Sequence, residues 1–70
     1  MELADMRDRL EAIRAAFLER DHEKAHALED ALHVSALQAI AAGTLSHSQC
    51  VVMASLALST RELPIDRWAA

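Results

Sequence analysis

Three of the chain's four histidines lie in one short stretch, "HEKAHALEDALH", residues 22 to 33. Imidazole and carboxylate groups are metal ligands, and imidazole also titrates near neutral pH. The spacing gives that chemistry a geometry. On a helix, at roughly 100° per residue, His22, His26, Glu29 and His33 fall within an arc of about 60°. Neighbours one turn apart on such a stripe can share an ion. All four cannot, because the stripe runs over about 16 Å of helix. A metal site here needs further ligands, from His47 or from a second copy. The chain has neither the H-E-x-x-H of zinc proteases nor a paired E-x-x-H signature. The stripe lies at the edge of the helix's core face, so the expected role of these residues is a polar border. No cofactor is expected.

Other chemistry is sparse. His47 and Cys50 stand three residues apart at a helix start, a weak echo of a Cys-His nucleophile. Cys50 is also small and apolar enough to be buried. A single glycine leaves no phosphate cradle and no serine elbow. Seventy residues leave little room for a deep pocket. No catalytic residue is expected and the chain reads as non-enzymatic.

The elements that must position these residues are helical. Alanine and leucine dominate, and there is one glycine and one proline. The first helix is expected at about 2–19, with Leu3, Met6, Leu10, Ile13 and Phe17 as its seam. "ERDHE" breaks it, and Asp21 can cap a second helix over about 22–42. That helix has Ala25, Leu28, Leu32, Ala36, Ala39 and Ile40 on its core side. Val34, Leu37 and Ala41 lie on other faces. Gly43 is its natural terminator. Ser46 with Gln49 forms a capping box, and Leu45 with Cys50 sits where a hydrophobic staple would. A third helix over about 47–61 follows, apolar on nearly every face. Leu63 before Pro64 disfavours helix, so the tail is extended or a last turn begun by Pro64. Trp68 is expected to anchor the tail on the bundle, and Arg67 with Trp68 is an alternative anchor pair for a partner.

These readings give a single all-α domain over 1–70, a three-helix bundle with a short C-terminal segment packed back. A core this small benefits from self-association. Disulfides within one chain are excluded, since Cys50 stands alone. The apolar excess of the last two helices points to a homodimer. Val51, Val52, Leu56, Leu37, Val34 and Trp68 are its interface candidates.

Seven basic residues against eleven acidic ones give a net charge of −4. Direct nucleic-acid binding is disfavoured, although Arg7, Arg9, Arg14 and Arg20 could reach phosphates in a dimer. Asp5, Asp8, Glu11, Glu29 and Asp30 are the candidate acidic surface, with "LEDAL" read as a solvated face. The first twenty residues do not read as a secretory signal and no apolar run reaches membrane-spanning length. The expectation is a cytoplasmic protein without membrane contact.

The stretches "AHALEDALH", "LQAIAAG", "ALST" and "ELPIDRWAA" resemble a group of small bacteriophage and prophage proteins. The likeness covers about residues 22–70, with Pro64 departing from the pattern. No activity comes with it, and no residue role is carried over. It implies a compact accessory protein in a bacterial host. Such a protein would bind a host factor, or an immune complex such as a CRISPR effector, and block or redirect it.

Overall fold

The computed structural model describes residues 1–67. It contains α1 (Leu3–Leu18), α2 (His22–Ala41) and α3 (His47–Leu58), then a 3-10 turn over Ser59–Glu62. This is the expected all-helical three-helix bundle, with a short C-terminal helical segment packed on the core. Trp68, expected to anchor the tail, lies outside the described residues.

The helix starts are set by side chains. Asp5 Oδ2 accepts from the Glu2 backbone N–H at 3.4 Å, and its charge suits the positive end of α1. Asp21 Oδ1 accepts from the Lys24 N–H at 3.1 Å. Ser46 Oγ accepts from the Gln49 N–H at 3.1 Å, while Gln49 Oε1 accepts from the Ser46 N–H at 2.8 Å. This is the reciprocal box that the sequence pattern predicts.

The helix ends are less uniform. Gly43 takes φ 78° after α2, as a left-handed terminator should. α1 ends the same way with no glycine. Arg20 sits at φ 62°. Its N–H donates to the Phe17 carbonyl at 2.9 Å, and the Asp21 N–H donates to the Ala16 carbonyl at 3.0 Å. These two bonds make a Schellman motif. Asp21 therefore closes α1 with its backbone and caps α2 with its side chain.

α3 is shorter than the expected 47–61. Ser59 Oγ donates to the Leu56 carbonyl at 2.6 Å and Thr60 Oγ1 to the Ala57 carbonyl at 3.2 Å. Such back-bonding competes with the α-helical ladder, and the last turn tightens to 3-10 geometry. Leu63 then turns extended, at φ −82° and ψ 127°, as the residue before a proline should.

The core comprises Met6, Ile13, Ala16, Ala25, Leu32, Ala36, Met53, Ala57 and Ile65. Leu3, Leu10, Phe17, Leu28, Ala39 and Ile40 pack half-buried around it. Four of the nine core residues are alanines. They let the helices approach closely, but each buries one methyl group where a leucine would contribute about 2 kcal/mol. The apolar core is thin. Leu56, one of the interface candidates, is half-buried against the core. α3 is buried on one side: Met53 and Ala57 are inside, while Val51, Val52 and Leu58 are exposed.

Candidate functional site

The polar stripe of α2 faces the chain's own C-terminal segment. His22 Nδ1 accepts from the Asp66 backbone N–H at 2.9 Å. Its ring stands edge-on to Phe17, with centroids 5.7 Å apart and planes at 81°. Two turns on, Glu29 receives Arg67. The Arg67 Nε donates to Oε1 at 2.7 Å and Nη2 to Oε2 at 2.8 Å.

Arg67 does more than pair with one carboxylate. Its Nη2 also donates to the Thr60 and Leu63 carbonyls, at 3.1 and 3.2 Å, and Nη1 to the Ile65 carbonyl at 3.2 Å. One guanidinium thus satisfies Glu29 and three carbonyls of the bend around Pro64. The charge-assisted, two-pronged geometry is the strong form of such a pair. Its hydrogen bonds hold the Glu29 carboxyl down at about 2, against the opposing effect of burial. Glu29 in turn raises Arg67 above its ordinary value.

His33 holds the end of α3. Its Nε2 lies 2.8 Å from the Ala57 carbonyl and 3.1 Å from Thr60 Oγ1. A carbonyl only accepts, so Nε2 carries the proton. His26, between these contacts, reaches Asp30 Oδ1 at 3.4 Å.

Glu29 requires a correction. It was expected on a solvated acidic face, yet it is 2 % exposed. Its neighbour Asp30 is exposed, as are Asp5, Asp8 and Glu11 on α1. Arg67 likewise turns inward, where an outward anchor was the alternative. Sequence reasoning missed both the Arg67–Glu29 pair and the role of Thr60. The available signal was a carboxylate on the edge of a core stripe and an arginine just beyond a proline bend.

As metal ligands the four stripe residues are not gathered together. Ligand atoms of His26, Glu29 and Asp30 lie within 4.8 Å of one another. Both Glu29 oxygens already accept from Arg67, while His22 and His33 turn to the tail and to α3. His47 is exposed and Cys50 half-buried. Among the described residues no hydrogen bond joins them.

A second surface adjoins the stripe towards the end of α2, where His33 and Leu37, one turn apart, line one groove. Leu37 is 67 % exposed, and Leu58 on α3 is 65 % exposed. Both line a groove of about 310 Å³, together with Ala36, Ile40, Ala54 and Ala57. Val34 stands one turn before Leu37, and Val51 stands two turns before Leu58. Both are exposed. From Ala31 to Thr60 the chain carries no Asp, Glu, Lys or Arg. Every formal charge therefore lies before Ala31 or after Thr60.

Among the described residues no helix is long and apolar enough to cross a membrane. No protein-family model, curated protein or solved structure matches the chain.

Proposed function

We propose that the chain is a small non-enzymatic protein-interaction module. It binds a host protein or complex and blocks it by steric or acidic-surface competition. The observation that supports this most directly is the separation of its surfaces. The carboxylates Asp5, Asp8 and Glu11 are exposed along α1, three residues apart on one ridge. Most of the exposed large apolar side chains lie elsewhere, on α2 and α3, with Leu18 at the end of α1 the exception. An acidic ridge on a rigid helix suits a basic groove that otherwise takes nucleic acid. The likeness to small phage proteins supplies the context of a bacterial host.

The test is capture by cross-linking in host extract, comparing the native chain with the Asp5→Lys, Asp8→Lys, Glu11→Lys variant. A partner enriched by the native chain and lost with the variant is expected. Equal capture by both would overturn the acidic-surface mechanism.

A metal- or pH-responsive dimer using the stripe of His22, His26, Glu29 and His33 is the second reading, its metal form favoured by the closeness of His26, Glu29 and Asp30. That form requires Arg67 to give up Glu29. It predicts that zinc or nickel raises the melting temperature, and that His26→Ala with His33→Ala abolishes the rise.

A further inference from the structure

We infer that the charge-free face of α2 and α3 is covered by a second copy of this chain. The pairing is two-fold, with Leu37 and Leu58 of each copy seated in the groove of the other. This deepens the interaction-module reading and rests on it, since it names the occupant of the apolar surface.

Charge selects the occupant. A two-fold contact places the same patch on both sides. Charges of one sign on that patch then meet their like. This chain carries a net −4, so two copies repel on most approaches. The stretch from Ala31 to Thr60 is free of formal charge, and it builds the second half of α2 and all of α3. Two copies can meet over this stretch with the nearest carboxylates, Asp30 and Glu62, only at its two ends. A different protein would gain steering and selectivity from charged residues on such a surface, and this stretch offers none.

Shape agrees with charge. A self-paired patch needs both a projection and a recess. Leu37 and Leu58 are the projections, each about two-thirds exposed. The recess between them is floored by small residues, Ala36, Ala54 and Ala57. His33 lines the same groove, but its Nε2 is bonded internally to Ala57 and Thr60. Size agrees as well. The apolar core is small and rich in alanine, and chains of this length commonly gain stability by associating.

Sedimentation equilibrium of the full chain over a wide concentration range tests the inference. The expected mass rises from 7.7 kDa towards twice that value. Leu37→Glu with Leu58→Glu should hold it at the monomer mass while the helical circular dichroism stays unchanged. Leu18→Glu is the control. Leu18 is equally exposed but lies on α1, so this variant should still pair. Added salt should leave the dimer intact, because the contact holds no ion pair and salt screens the mutual repulsion. A native chain that stays monomeric at every concentration overturns the inference. So does a dimer that survives both glutamates, one broken by Leu18→Glu, or one dissolved by salt. None of these results touches the capture experiment, so a failed dimer and a failed interaction-module reading remain distinguishable.

Discussion

Two adjoining flanks of α2 invert what their residue types suggest. One flank carries His22, His26, Glu29 and His33, and it is covered. The other carries Val34 and Leu37, and it is bare. Covering the polar flank is possible because each group under the tail has a partner. His22 takes the Asp66 N–H, Glu29 takes both prongs of Arg67, and His33 takes the Ala57 carbonyl. Buried polar groups are tolerated when they are satisfied, and no buried side-chain nitrogen or oxygen is left without a partner among the described residues. Leaving the apolar flank bare has no such local compensation. The lesson is that polarity alone does not sort inside from outside in so small a bundle. What sorts them is whether another segment arrives with matching donors.

Removing that arrival should produce the largest effect. Arg67→Ala leaves the Glu29 carboxylate buried and unpaired, which costs about 3 kcal/mol. Urea unfolding should show the loss as a lower midpoint. Replacing the pair together, Glu29→Met with Arg67→Met, should recover much of it, because no charge is then stranded. If Arg67→Ala unfolds at the native midpoint, the covered flank is not held by this pair.

Acid should sharpen the same contrast. The folded-state value of Glu29 is about 2, below its ordinary 4.5. Its contribution is therefore fully present above pH 4.5 and is lost as pH falls through about 2. In Arg67→Ala the sign reverses. An unpaired buried carboxyl is raised, so that variant gains relative stability as pH falls. Melting temperature against pH, compared between the two chains, reads this directly.

A smaller effect concerns the turn that sets the phase of α2. Arg20→Gly should stabilise the chain by about 1 kcal/mol, because Arg20 occupies left-handed geometry that glycine adopts freely. The smallest effect belongs to the bare flank. Leu37→Ser should change the unfolding free energy of the isolated chain by under about 0.5 kcal/mol. A much larger loss at a concentration where the chain is monomeric would mean that Leu37 packs internally.

The sequence showed some parts of this arrangement well. Asp21, Gly43 and the Ser46–Gln49 box mark helix limits because caps are local: donor and acceptor lie within three residues. The core stripes are visible for the same reason, since a period of 3.6 is a local property. The Arg67–Glu29 pair joins residues 38 positions apart. It depends on how Pro64 redirects the chain, which no helical period encodes. Arg20 was opaque because its backbone geometry is imposed by the two helices it joins, not by its own type. The histidine stripe was correctly placed on one face and at the core's edge. What lay opposite it was a matter of topology. The charge-free run from Ala31 to Thr60 was legible throughout, but it acquires meaning only once the structure shows which of its leucines are left outside.

The central claim is that the covered flank of α2 is complete within one chain while the bare flank is completed by another. Amide chemical shifts followed on dilution test it most directly. Shifts should move for residues 34–41 and 51–58, and stay still for His22, Glu29 and the Leu63–Arg67 segment. No movement anywhere, or movement confined to α1 or the tail, would contradict the account.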